Sequence, residues 1–341
     1  MQSEQEVKTV ERRPRLCTRK LYKNKHLGHL IACCLLTLVT SSCFTESPPS
    51  PPDDLEALLG YLFEHAADED PTLLASGIEE LHAWFQDPEK LDGAREGFQI
   101  SELSPEALES TGLIMSGDSL PSLEGVSVVT KSPHCVRSIV GLLTWEDFGS
   151  LLTSFESYER TFNQESACMV DRRCEQVTAE SESRSNWVNL IGITTRYHIE
   201  FRWVYTEVGW ALVHRFWLKE PAIGNQFNVK MNSNFYVGIT LPDSARSVTP
   251  PSPSFIASGN SLFGSGGDRV DDLRETLQQP GSLRIHANWF AVDTGDIPLT
   301  KPQIANILVQ QQKNDSEAHD RMINENETPG QCLMDAEEND M

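Results

Sequence analysis

Hydrophobic positions along this chain follow a helical spacing up to about residue 115 and a mixture of alternation and helical spacing beyond it. Leu55, Leu58, Leu59, Leu62 and Phe63 recur at i, i+3, i+4, i+7 and i+8, and Asp53 or Asp54 stands where the cap of such a helix belongs. After the loop HAADEDP, Leu74, Ile78, Leu81, Trp84 and Phe85 repeat the pattern, which predicts an αα-hairpin. Ser104 followed by Pro105 predicts a short third helix to about residue 110.

The remainder predicts a sheet with helices. Residues 126–130 and 135–143 read as strands. Residues 145–162 read as a long helix with Phe148, Leu151, Leu152, Phe155, Tyr158 and Phe162 on one face, and the polar run 178–185 reads as a loop. The strongest strand signal is at 197–205, where Tyr197, Ile199, Phe201, Trp203 and Tyr205 alternate with His198, Glu200, Arg202 and Val204. Thr206, Glu207 and Gly209 turn the chain into a second strand at 210–219, and 226–231 and 235–241 extend the meander. A flexible insertion at 245–267, rich in Pro, Ser and Gly in most of its length, a short acidic helix at 268–278, a strand at 283–292, a helix at 302–313 and a polar tail at 314–341 complete the reading. The expected class is α+β: a small N-terminal helical region (55–115) followed by an antiparallel sheet packed with helices (125–313).

The first 43 residues change the picture. Arg12, Arg13, Arg15, Arg19, Lys20, Lys23 and Lys25 precede an apolar run that ends in Thr40-Ser41-Ser42-Cys43, the layout of a signal peptide and too short for a spanning helix. The basic region is long enough for translation to start downstream, at a codon now read as Val10, Leu16 or Leu21. The small residues before Cys43 resemble the lipobox of bacterial lipoproteins, although Thr40 stands where that family has an aliphatic residue. The resemblance implies cleavage before Cys43, its acylation (palmitate), and a membrane partner engaged through the lipid anchor in the bacterial cell envelope, facing periplasm or exterior. Ordinary cleavage nearby and retention as a signal anchor are the alternatives. Residues 44–54 then read as a Pro-rich tether.

An exported chain makes disulfides the natural reading of Cys135, Cys168, Cys174 and Cys332. Four cysteines allow three connectivities, and Cys168 and Cys174 are close enough for one loop-closing bridge. The first 42 residues hold eight of the 28 Lys+Arg and three of the 50 Asp+Glu, so the rest of the chain carries −27, a charge that disfavours nucleic acid as a partner. No metal or cofactor motif is present, and no G-x-S-x-G; Gly259 to Gly264 misses that spacing by one. His198, Arg202 and His214 are the cluster an enzyme would use, but alternate polar residues on a half-buried strand need no function. No catalytic residue is assigned.

The long amphipathic helix at 145–162, the aromatic meander, the run Leu283-Arg284-Ile285-His286-Ala287-Asn288-Trp289, Asp293, Ile297-Pro298 and a closing helix resemble the START-like helix-grip fold over roughly residues 132–313. That resemblance implies a curved sheet around a C-terminal helix and a cavity for a hydrophobic small molecule, with Ile199, Phe201, Trp203, Trp210, Phe216 and Trp289 as expected lining. The cysteines, the insertion and the short last helix depart from the family. A second hypothesis, of another class, makes the helical hairpin a docking module for an envelope protein; a motif-free hydrolase is the third.

Overall fold

The computed structural model describes residues 50–113, 122–146, 148–151, 155–187, 191–243, 281–326 and 328–330. The leader with Cys43, the insertion at 245–267, the acidic helix at 268–278 and Cys332 lie outside them. Helix α1 (Leu55–His65) starts at Asp54, whose Oδ2 accepts the Ala57 amide at 3.1 Å. α2 (Thr72–Phe85), α3 (Pro88–Glu96) and α4 (Pro105–Glu109) follow, the last with Ser104 as cap and Pro105 in its first turn. α3 is absent from the hydrophobic pattern because its only buried residue is Ala94.

Nine strands form one antiparallel sheet: β1 (Phe98–Ile100), β2 (Glu124–Ser132), β3 (Phe155–Phe162), β4 (Gln176–Trp187), β5 (Ile191–Thr206), β6 (Gly209–Leu218), β7 (Ala222–Ile223), β8 (Lys230–Pro242) and β9 (Ser282–Asp293). Their order is β1-β2-β9-β8-β6-β5-β4-β3, with β7 beside β8. Between β2 and β4 come α5 (Val136–Leu143), α6 (Phe148–Leu151) and α7 (Ala167–Val170), and α8 (Lys301–Glu325) closes the described fold. The class is α+β with an antiparallel sheet packed with helices, as the pattern predicts.

Several elements differ from expectation. Residues 145–162 are not one helix: Phe148–Leu151 form α6, and Phe155–Phe162 are the edge strand β3. A register shift between Phe155 and Ser157 lets Phe155 and Tyr158, three apart in sequence, face the same cavity, so a bulged strand imitates helical spacing. Residues 136–143 are helix rather than strand, with Cys135 at the cap and nearly every residue buried, which erases the periodicity. The expected loop at 178–185 is the middle of β4. The expected strand at 226–231 begins only at Lys230. The last helix does not end near Lys313 but continues to Glu325, with Ser316 and Ile323 buried where a polar tail is expected.

Alternation sorts the sheet's side chains onto two buried faces. On one, Val237, Ile239, Ile285 and Trp289 join Leu58 and Phe63 in a single core with the N-terminal helices. The apolar stripe of the hairpin is therefore covered by this chain's own sheet: Leu58, Leu62, Leu74 and Leu81 are all completely buried. Two buried arginines fasten the same face. Arg202 pairs with Glu175 at 2.8 Å and donates to the carbonyl oxygens of Ala66, Asp68 and Glu69. Arg215 pairs with Glu200 at 2.6 Å and donates to the Phe63 carbonyl at 3.1 Å and to Ser110 Oγ at 2.9 Å. Carbonyls at and beyond the C-terminal end of a helix lack intrahelical donors, and a cation there is also favoured by the helix dipole.

Candidate functional site

The opposite face of the sheet and α8 enclose a cavity of about 800 Å³. Its chemistry changes along the strand order. On the β3 to β6 side the walls are Phe155 and Tyr158 of β3, Ile193, Ile199 and Phe201 of β5, and Phe216 of β6. β4 contributes Ser181, Ser183 and Ser185, small side chains where bulky ones would fill the space. Ser183 Oγ lies 2.9 Å from Thr195 Oγ1, which satisfies both hydroxyls.

On the β8 and β9 side the floor is polar: Asn234 and Tyr236, then Arg284, His286 and Asn288, with Gln312, Asp315 and His319 of α8 above them. His286 is held from two directions, Nδ1 at 2.5 Å from Tyr236 Oη and Nε2 at 3.0 Å from Ser316 Oγ. Arg284 donates from Nη2 to His319 Nδ1 at 3.1 Å, while its Nε and Nη1 have no partner. Asn234 Oδ1, Asn288 Oδ1 and both amide atoms of Gln312 are likewise buried without a partner. Unsatisfied buried polar groups cost about 1–3 kcal/mol each, so such a concentration marks a place built to meet something polar.

Between the two halves, His214 stacks on Phe201 with ring centroids 6.0 Å apart, and Phe216 stacks on Tyr236 at 4.4 Å. Gly238 lies between His214 and His286 in the ladder. A Cβ there would stand 2.2 Å from His214 Cε1 and 2.6 Å from Tyr236 Oη, so the glycine makes room for both rings. Burial, then the nearby Arg284, pushes His214 down to about 3 and holds His286 and His319 well below the ordinary histidine value. Burial pushes the Asp315 carboxyl up to about 6 and raises Asp320, while Arg284 opposes both. The three rings are thus neutral at physiological pH, and Arg284 is the cation of the floor. Fixed donors and acceptors at one end and apolar walls at the other suit recognition of a small molecule. Among the described residues, no three His, Cys, Asp or Glu are grouped to hold a metal ion.

Neither a protein-family model nor a curated protein sequence matches the chain. Solved structures do resemble it. One is a START superfamily protein from Mycobacterium smegmatis, 9% identical, with 59% of this chain and 97% of that one covered and a TM-score of 0.31. Another is Ara h 8.0201, at 8% identity, 60% and 100% coverage and 0.31. The third is a STAR-related lipid transfer protein from Xanthomonas axonopodis, at 10% identity, 62% and 90% coverage and 0.32. None of them assigns a ligand to this chain.

Of the six residues expected to line a cavity, Ile199, Phe201 and Phe216 do so. Trp203 and Trp210 belong to the same apolar cluster but lie outside the lining; Trp203 Nε1 donates to the Met169 carbonyl at 2.7 Å, and Arg172 sits over the Trp210 ring at 5.1 Å. Trp289 is on the other face, against Phe63, with Nε1 bonded to the Ser101 carbonyl at 2.8 Å. The enzyme-like cluster is split in the same way: Arg202 points to the N-terminal helices, His198 pairs with Glu180 at 2.8 Å, and His214 alone faces the cavity. Period-two alternation places residues 198 and 202 on one face of β5 and their neighbours 199 and 201 on the other, and His214 shares a face with Phe201.

Cys168 and Cys174 form a disulfide with an S–S distance of 2.04 Å. Cys135 is also disulfide-bonded. The sequence reading misses the polar floor, although the alternation Arg284-Ile285-His286-Ala287-Asn288-Trp289 carries it. Among the described residues no helix is long and apolar enough to cross a membrane.

Proposed function

We propose that this protein binds a hydrophobic small molecule between its sheet and α8, and that it does so as an exported protein tethered to the cell envelope through acylated Cys43. The observation that carries the binding reading is the cavity itself. It measures about 800 Å³, within the size of ordinary ligand sites, and much of its wall is aromatic and aliphatic. A solid core would fill that volume with side chains, whereas here three serines of β4 leave it open. The tether reading is supported by the basic leader, the short apolar run and the small residues before Cys43.

Saturable fluorescence enhancement of the neutral probe N-phenyl-1-naphthylamine tests the binding reading. One probe should bind per chain, and Ser183→Trp, which sets an indole into the cavity, should weaken binding while the fold is retained by circular dichroism. No enhancement in the parent protein, or equal enhancement in a folded Ser183→Trp variant, would end it. Metabolic palmitate labelling of the parent chain and Cys43→Ala in a bacterial host tests the tether, which requires that the label disappear with the cysteine.

A further inference from the structure

The geometry points to an amphiphile with a single anionic head as the ligand, its head over β8 and β9 at Arg284 and its apolar body toward β5 and β3. This rests on the reading of the cavity as a hydrophobic-ligand site and adds the class of ligand and its direction.

Three observations carry it. The first is the sidedness of the cavity. Along the strand order β9-β8-β6-β5-β4-β3, Arg284, His286, Asn288, Asn234 and Tyr236 line the β9–β8 end, while aromatic and aliphatic side chains dominate the other end beside the β4 serines and Arg160, whose Nη1 and Nη2 are engaged by the Leu143 and Trp145 carbonyls at 2.7 Å. A wholly apolar ligand would leave the Asn234, Asn288 and Gln312 atoms unsatisfied; a wholly polar one would waste the aromatic wall. A molecule with one polar end, laid across the strands, meets both.

The second is the state of Arg284, which is only 1% exposed. Buried arginines elsewhere in this protein are compensated: Arg202 by Glu175 and three carbonyls, Arg215 by Glu200, Phe63 and Ser110. Arg284 has a neutral histidine as its hydrogen-bond partner, and two of its three nitrogens are unpartnered. Asp315 and Asp320 are near enough to feel its charge, yet among the described residues neither forms an ion pair with it. A buried cation without its counter-charge is strongly unfavourable unless something supplies that charge. Guanidinium groups match carboxylate and phosphate oxygens better than any other ligand chemistry.

The third is that the histidines cannot compensate for the anion's absence or presence by titrating. His214, His286 and His319 are all held neutral, so Arg284 is the cation that β9 presents to the head group.

Displacement of N-phenyl-1-naphthylamine at pH 7.5 by dodecanoate, dodecyl phosphate and dodecanol, which share one chain and differ in the head, is the test. In the parent protein at least one of the two anions should displace the probe at about tenfold lower concentration than the alcohol, the equivalent of one charge-assisted hydrogen bond. Whichever anion is stronger identifies the head as carboxylate or phosphate. In Arg284→Met the ratio of anion to alcohol should fall to about one, and in Arg284→Lys part of it should remain. Should Arg284→Met fail to fold, the comparison in the parent protein decides alone. Dodecanol equal to or better than both anions, with the probe still bound, overturns the anionic head and leaves the hydrophobic site standing. A probe that does not bind at all removes the site and the inference with it.

Discussion

Arg215 reaches across 152 positions of sequence to donate a hydrogen bond to the carbonyl oxygen of Phe63 at 3.1 Å. With Glu200 at its Nε and Ser110 at its Nη1, it fixes the end of α1 to the middle of the sheet. Replacement by methionine keeps most of the volume but leaves Glu200 with only His198, at 3.5 Å, and strands the acceptors on Phe63 and Ser110. Arg215→Met should lower stability by about 3–5 kcal/mol in urea unfolding, the range for breaking one side of a buried pair. Adding Glu200→Gln should recover part of that loss; an unchanged midpoint in the single variant would show that the clamp is not what holds α1.

His214 gives the protein a pH dependence of known sign. Its folded value of about 3 lies below the ordinary 6.5, so the unfolded chain binds a proton that the folded chain refuses. The stability this protects is complete above pH 6.5 and is lost as pH falls toward 3, at about 1.4 kcal/mol per pH unit. His214→Phe, which keeps a ring between Phe201 and Tyr236, should therefore gain on the parent chain as pH drops from 7 to 5. Parallel stability curves for the two proteins across that interval would refute it.

Gly238→Ala tests how tightly the cavity floor is packed. The added methyl must displace the His214 ring and the Tyr236 hydroxyl, both buried, and with them the Tyr236 to His286 contact. Overpacking of this kind costs about 1–3 kcal/mol, read as a lowered melting temperature. The same variant should bind the naphthylamine probe more weakly; an unchanged melting temperature and affinity would mean that the rings have room to spare.

The second disulfide can be read from the packing around α5. Ser138 Oγ donates to the Gly330 carbonyl at 3.2 Å, and the Pro329 carbonyl lies so close to Gly141 that a Cβ there would sit 1.6 Å from it. The chain two residues before Cys332 is thus pinned to the helix that Cys135 begins. Non-reducing peptide mapping should find Cys168 with Cys174 and Cys135 with Cys332. A free Cys332 thiol would exclude the second pair.

Much of the fold was legible because strong alternation or strong helical spacing marks one buried face. The hairpin α1–α2 and the strand β5 are read directly from Leu58, Leu62, Phe63 and from Ile199, Phe201, Trp203. What escaped is physically specific. The inward residues of β4 are serines, so its alternation carries no hydrophobic signal. β3 is bulged at its start, so its aromatic spacing reads as a helix. β9 is buried on both faces, and equating the cavity with the apolar side selected Trp289 in place of Arg284, His286 and Asn288. Ile199, Phe201 and Phe216 of the expected lining do face the cavity, and the residues that give it its charge were not among those expected.

The hydrogen bond from Trp289 Nε1 to the Ser101 carbonyl spans 188 positions, and the arginine bonds to the N-terminal helical region span 105 to 152. As the chain is made from its N-terminus, α1 and α2 emerge long before β8 and β9, which supply much of the core that covers them, exist. Much of their leucine surface waits exposed until β8 and β9 arrive, so folding is slow by topology, and synthesis imposes a long interval in which the hairpin needs shielding. A truncation ending anywhere before residue 282 would lack β9, the strand that joins β2 to β8, and should be found in aggregates or in the hands of a chaperone.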